Sequence, residues 1–191
     1  AKRYTSIRPS DILEVVPEEG IFIFMNTMLD PGDEVIVMQP SLPSLYEIPR
    51  ALGCKIIRWP LEPTSWGWRL DVNFLADAIS PATKLLILNV PNNPTGYIPV
   101  RVEMERILSL ADRMGTWVFC EETYRGMEHD PAAALPSLAD LYPRATVVGG
   151  VNKYGLPGTR IGWLVTKNRQ VLLDCAAYKD YKIGRASCRE R

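Results

Sequence analysis

Arg160 follows Lys153 by seven positions inside Gly149-Gly150-Val151-Asn152-Lys153-Tyr154-Gly155-Leu156-Pro157-Gly158-Thr159-Arg160-Ile161-Gly162-Trp163. One apolar run, Ala145 to Val148, leads into this stretch and another, Ile161 to Val165, leads out. The pattern predicts strand, loop, strand, with glycines and a proline forcing the turn and two cations in it. A lysine held among glycines at the mouth of a sheet can be partly desolvated. That lowers its pKa from ~10.4 and makes its amine a nucleophile toward carbonyls. The arginine offers a planar fork for a phosphate. Taken alone, the loop is better read as a Gly/Pro-rich turn with solvated cations; two further stretches reverse that balance. Val90-Pro91-Asn92-Asn93-Pro94-Thr95-Gly96 follows the apolar run Leu85 to Leu88, and Val118-Phe119-Cys120-Glu121-Glu122-Thr123-Tyr124-Arg125 closes another. Each places polar groups just past the carboxyl end of a strand, where open α/β sheets bind ligands.

In this order the three stretches resemble the class I/II aminotransferase family of fold-type I pyridoxal-phosphate enzymes. The resemblance runs from about Pro17 to Lys182 and rests on Asn-Pro-Thr-Gly, the downstream lysine, and Gly-Leu-Pro-Gly-x-Arg-Ile-Gly-Trp. Pro17-Glu18-Glu19-Gly20-Ile21-Phe22 and Ser44-Leu45-Tyr46-Glu47-Ile48 also resemble a branch containing the capreomycidine-synthase and arginine-oxidase-like enzymes. The resemblance implies pyridoxal 5'-phosphate as cofactor, amino acid and 2-oxo acid substrates, and a homodimer. It assigns Lys153 the Schiff-base and proton-shuttling role, and Asn93 and Tyr124 the cofactor's ring oxygen. Glu121 falls to the pyridine nitrogen, Arg160 and the helix start at Pro17 and Glu18 to the phosphate, and Leu42 to the ring face.

Several positions depart from the family pattern. Glu121 stands where the family has aspartate, and an unpaired buried pyridinium would cost roughly 3–5 kcal/mol by analogy with broken buried ion pairs. Leu42 replaces an aromatic, Asn152 replaces a common serine, and Val15-Val16-Pro17-Glu18 lacks the usual glycine and serine. The Lys153 to Arg160 spacing is one residue short, and an ungapped alignment from the Gly-Leu-Pro-Gly side would put Asn152 at the lysine position. Lysine alone among these residues can form the Schiff base, so Lys153 in a contracted loop is preferred; a dead site or a sequence error stays open. Three other functions remain: elimination, hydroxylation or oxidation on the same scaffold; a ligand-sensing domain fused to a winged-helix DNA-binding domain; and a scaffold that has lost its chemistry.

The elements that must position these groups alternate between helix and strand. A helix from Pro17 to about Leu29 precedes the strand Glu34 to Met38. A helix from Leu45 to Leu52, the strand Cys54 to Trp59 and a helix from Val72 to Ile79 follow. Next come the strand Lys84 to Val90, a helix from Val102 to Met114, the strand Thr116 to Cys120, a short helix from Leu138 to Tyr142 and the strand Ala145 to Gly149. The expected fold is α/β, a mostly parallel sheet with helices on both faces in three α/β/α layers, the large domain of these enzymes. Trp66 and Trp68 fall in a predicted loop that could cover the site or seat a partner, with packing the default. Tyr46 reads as core, Glu122 as second to Glu121 or solvated, and His129 as surface.

A length of 191 residues supports one domain with a sizeable core. With 22 basic and 22 acidic residues there is no charge excess to draw nucleic acid or an anionic membrane. The apolar runs are too short to span a bilayer and no signal-peptide pattern opens the chain, so a cytoplasmic protein is expected. Cys54, Cys120, Cys175 and Cys188 lack metal-ligand spacing and read as buried thiols. Residues 1–182 read as a cofactor-binding large domain lacking an N-terminal segment and a C-terminal small domain. Residues 183–191 resemble read-through of a sequencing adapter. The family's substrate-carboxylate arginine would lie in the missing part, so no turnover is expected of residues 1–182.

Overall fold

The computed structural model describes residues 3–181; the adapter-like tail and Cys188 lie outside the described residues. Pro17 has no N–H to leave unpaired and a φ suited to a first turn, so it opens helix α1 (Pro17–Met28). Glu19 reaches back to accept a bond from Val16 N–H at 3.2 Å, and the buried face of α1 carries Ile21, Ile23, Phe24 and Met25. The strands are β1 (Ile12–Val15), β2 (Glu34–Gln39), β3 (Lys55–Thr64), β4 (Gly67–Leu70), β5 (Thr83–Asn89), β6 (Trp117–Glu121), β7 (Ala145–Gly150) and β8 (Gly162–Thr166). The remaining helices are α2 (Ser44–Ala51), α3 (Val72–Ala78), α4 (Arg101–Met114), α5 (Leu138–Leu141) and α6 (Arg169–Asp180).

The strands form one sheet in the order β1-β8-β7-β6-β5-β2-β3-β4. β2, β3, β5, β6 and β7 run parallel, and antiparallel pairing is confined to β1 with β8, β7 with β8, and β3 with β4. Period-two alternation sorts the core between the two faces. Val35, Val37, Leu85, Ile87 and Phe119 pack under α1, α2 and α6, where Phe24 stacks on Phe119 at 4.6 Å. Ile36, Met38, Leu86, Leu88, Val118 and Cys120 pack under α3, α4 and α5. The mostly parallel, helix-covered sheet expected from the sequence is the observed architecture.

Four elements differ from the reading of the sequence. β1 and α6 were not foreseen: β1 has four residues, too few to show a period, and α6 buries only Val171, Leu172 and Cys175. β3 runs on to Thr64 and returns as β4, so Trp66 and Trp68 belong to a hairpin at the far edge of the sheet. Trp66 is 98% exposed and neither tryptophan reaches the cavity described below. Tyr46 packs, part-buried, against the α1-side core, and His129 is exposed. Cys120 and Cys175 are buried free thiols and Cys54 is half-buried. No helix among the described residues is long and apolar enough to cross a membrane.

Glycines let α1 sit directly on the sheet. A Cβ on Gly150 would lie 2.6 Å from Pro17 Cγ, and one on Gly162 would lie 2.6 Å from Gly149 O and 2.7 Å from Pro17 Cδ. The helix start is thus seated on the end of β7 and the beginning of β8. On the opposite face Glu122, expected to be second to Glu121 or solvated, is 1% exposed. Its carboxylate accepts bonds from Ser137 Oγ at 2.8 Å and Leu138 N–H at 2.9 Å, tying the start of α5 to the end of β6. Burial pushes its pKa up from 4.5 to about 7, against the opposing pull of these donors and of Arg125.

Gly162→Ala is expected to lower stability by about 1–3 kcal/mol through overpacking. Urea unfolding would show a reduced midpoint, while Gly158→Ala, whose Cβ meets open space, leaves the midpoint in place. Because Glu122 binds its proton more tightly folded than unfolded, its contribution is complete below pH 4.5 and is lost as pH rises through about 7. Glu122→Gln should therefore flatten the fall in stability across that window, by up to ~1.4 kcal/mol per pH unit.

Candidate active site

β2 has β3 on one side and β5 on the other, so the chain steps outward from β2 to β3 and then crosses back. Loops leaving the carboxyl ends of β2 and β5 diverge at that reversal, which opens a crevice. Asn92 Nδ2 donates to Pro40 O at 3.1 Å and holds the two loops at a fixed separation. Asn92 Oδ1 meanwhile accepts from Thr95 Oγ1 at 2.6 Å, so the Asn-Pro-Thr-Gly turn is bonded through its own side chains.

An open cleft, whose empty space of about 470 Å³ includes adjoining solvent, lies at these strand ends. Leu42 lines it from the loop after β2 and Asn93 from the loop after β5. Glu121 and Tyr124 enter from the end of β6 and its following turn. Lys153 enters from the short helical turn after β7, Arg160 from the approach to β8, and Pro17 and Glu18 from the first turn of α1. All eight residues singled out in the sequence therefore meet at one cavity. Val16, Ile21, Thr123 and Asn152 complete its wall.

Glu121 forms the deepest polar wall, 2% exposed. One carboxylate oxygen accepts from Thr123 N–H at 2.8 Å and the other from Asn89 Nδ2. Burial pushes its pKa above the usual carboxylate value, nearby Glu18 adds to the shift, and Thr123 and Lys153 oppose it. Asn89 is fully buried, sits opposite Glu121 in the β5–β6 ladder, and accepts from Asn93 N–H at 2.7 Å through Oδ1. One amide therefore sets both the Glu121 carboxylate and the backbone that carries Asn93. The sequence reading missed Asn89; its signal was a polar residue closing the otherwise apolar run Leu85 to Leu88.

Lys153 Nζ lies 5.3 Å from the centre of the Tyr124 ring, within cation–π range. Its side chain is exposed, so the desolvation expected of a lysine at a sheet mouth is not supplied by the described residues. The cause is local: β7 ends at Gly150, and the turn from Asn152 to Tyr154 lifts Lys153 over the rim. Arg160 has φ 52°, and among the described residues it is the only non-glycine in the left-handed region. Such a backbone costs an L-residue about 1–2 kcal/mol and collects at functional sites. Here it turns the chain into β8 and leaves the guanidinium at the cavity wall.

The aminotransferase class I and II family model matches residues 18–180. Rat (Rattus norvegicus) kynurenine–oxoglutarate transaminase 1 is 30% identical over 171 residues, which cover 82% of this chain and 40% of that protein. Aspartate aminotransferase of Streptomyces avermitilis is 34% identical over 155 residues, covering 78% and 37%. Among solved structures, a PLP-dependent aminotransferase from Streptococcus suis superposes with a TM-score of 0.86 at 32% identity, covering 94% of this chain and 47% of that one. The chain thus spans about two fifths of the length of the curated relatives it matches. With the strand order, the crevice at the sheet reversal and a match over most of its length all in agreement, this chain belongs to the aminotransferase class I and II family.

Proposed function

We propose that this chain is the cofactor-binding part of a pyridoxal 5'-phosphate-dependent aminotransferase that moves an amino group between an amino acid and a 2-oxo acid. The observation that carries the reading is the meeting of Lys153, Asn93, Glu121, Tyr124 and Arg160 at one cavity with the first turn of α1. The donor set fits the cofactor. Arg160 and the first-turn N–H groups of α1, which have no intrahelical acceptors, suit a phosphate. The buried Glu121 carboxylate suits a protonated ring nitrogen, and Asn93 and Tyr124 supply donors for a ring oxygen. Asn152 Oδ1, buried without a hydrogen-bond partner, leaves one further acceptor for a bound group. Two features weaken the grip: Glu18 brings negative charge beside the phosphate position, and Leu42 offers an aliphatic face without aromatic stacking.

When bound, the cofactor supplies an electron-withdrawing ring that stabilises the charge left as the amino acid's α-proton departs. Lys153 is the residue whose amine would hold the cofactor and, once free, would take and return the substrate's α-proton. Its exposure leaves it free to make those exchanges. Glu121, fixed by Asn89 and Thr123, keeps a proton on the ring nitrogen. Asn93 and Tyr124 set the charge on the ring oxygen, and Arg160 anchors the phosphate. We assign the substrate-carboxylate anchor to the part of the relatives' length that this chain does not span, and residues 1–182 alone are not expected to turn over. The homodimer is carried from the family resemblance, and a cytoplasmic setting accords with the free thiols among the described residues.

Incubation with pyridoxal phosphate followed by borohydride reduction should place the cofactor on the peptide containing Lys153, and Lys153→Ala should abolish that label. A label scattered over surface lysines would instead support a non-catalytic relative. Glu121→Ala should raise the cofactor dissociation constant at least about tenfold, or ~1.4 kcal/mol, while Glu121→Asp keeps the carboxylate and most of the affinity; equilibrium titration of cofactor absorbance measures both.

A further inference from the structure

Tyr154 shares a single turn with Lys153 and faces away from the chemistry assigned to it. Its hydroxyl donates to Arg125 O, one residue past Tyr124, and accepts from Arg3 Nη1 at 2.9 Å. The approach is close enough that a Cβ on Gly126 would lie 2.9 Å from the Tyr154 oxygen. Gly126 also has φ 94°, so both space and backbone conformation call for glycine there. The β6–β7 ladder reaches only to the bond from Glu122 N–H to Val148 O, 2.8 Å. Beyond it, the Tyr154 hydroxyl bridges the turn bearing Tyr124 to the turn bearing Lys153.

Arg3 completes the bridge from the start of the chain. Its guanidinium lies over the Tyr154 ring at 5.5 Å and the Trp163 ring at 5.3 Å, and its Nη2 donates to Glu122 O at 3.2 Å. Arg125 Nη1 donates to Arg3 O at 2.7 Å and Trp163 Nε1 donates to Tyr4 OH at 2.8 Å. Asp140 then holds the next residues through Thr5 N–H, Ser6 N–H and Ser6 Oγ, at 3.0, 2.8 and 2.6 Å. The N-terminal segment is therefore bonded to the loop after β6, to β8 and to α5, and Arg3 projects from it onto Tyr154.

We propose that Tyr154, held by Arg3, is a positioning residue that fixes the Lys153 turn against the Tyr124 turn and so presents the lysine amine to the cavity. The inference rests on the reading of Lys153 as the cofactor lysine. It explains how an exposed lysine on a contracted loop keeps one address: the tether acts on the neighbouring residue and leaves the amine free to move. Tyr154→Phe would retain the ring over Arg3 and lose both hydroxyl bonds. Arg3→Ala would remove the clamp on the phenol together with the bond to Glu122 O and the contact over Trp163.

The test compares wild type, Tyr154→Phe, Arg3→Ala and Arg3→Lys in the whole chain with two readouts. The first is the rate of tryptic cleavage after Lys153 without cofactor, measured against cleavage after the exposed Arg113. The second is the yield and pH midpoint of borohydride-trapped pyridoxal phosphate on Lys153. Tyr154→Phe and Arg3→Ala should speed cleavage after Lys153 about tenfold, shift the trapping midpoint and cut the yield, with Arg3→Lys in between and urea midpoints near wild type. Wild-type cleavage and trapping in both variants would overturn the proposal. If wild type shows no label on Lys153 while Tyr154→Phe still speeds cleavage, the cofactor reading fails and the tether between the turns stands. If Tyr154→Phe does not fold, Arg3→Ala decides by the same two readouts.

Discussion

The seating of Pro17 on Gly150 and Gly162 is the contact on which the site's geometry depends. With no side chain on either glycine, the pyrrolidine ring of Pro17 packs against the backbone where β7 ends and β8 begins. That one contact sets three things together: the direction of the first turn of α1, the point at which the Lys153 turn departs, and the point at which Arg160 re-enters the sheet. The dipole and unsatisfied N–H groups of a helix start act over only its first turn. A displacement of α1 by the width of a methyl group would therefore separate its first turn from Arg160. Close packing makes such a displacement costly, because the buried face of α1 interlocks with Phe119 and the α6 side chains behind it.

At the end of β6 the sheet's alternation sends adjacent carboxylates to opposite faces. Glu121 opens into the cavity and is held by Asn89 and Thr123, while Glu122 turns into the other layer and is capped by Ser137 and the start of α5. Both carry the cost of burial, and among the described residues neither forms a salt bridge, Lys153 and Arg125 acting on them only at longer range. Glu122 is stabilised by donors from its own layer, which makes it part of the scaffold. Glu121 keeps one side toward open space, where a cation would lower the cost that burial imposes. The same residue type, one position apart, serves structure on one face and a site on the other. The Asn89 amide meets the Glu121 carboxylate from the neighbouring strand.

Most of the fold was legible in the chain. Apolar runs such as Val35 to Met38 and Leu85 to Leu88 can be buried on both faces only in a sheet covered by helices, and the intervening 3.6-residue periods supply those helices. The site's membership came from the resemblance of its motifs to the family: Asn93, Glu121, Tyr124, Lys153 and Arg160 lie at or beside strand ends, which the sheet brings to one edge. The hairpin that carries Trp66 and Trp68 was not legible, because two prolines interrupt the strand period and nothing in the sequence says which edge a hairpin occupies. The short β1 was likewise hidden, since its pairing with β8 comes from a strand far along the chain.

What the sequence determined by itself was therefore the kind of fold and the set of groups available for chemistry, because both follow from local periodicity and residue type. What only the tertiary structure decided was how those groups are held. Asn89 joins Glu121 to Asn93, Glu122 is buried, Lys153 stays exposed on its turn, and Arg3 reaches Tyr154 across more than 150 positions of chain. Each of these depends on contacts between segments that are distant in sequence and are brought together by strand order. Strand order in turn is fixed by the packing of two helical layers on one sheet, which no single stretch of the chain encodes.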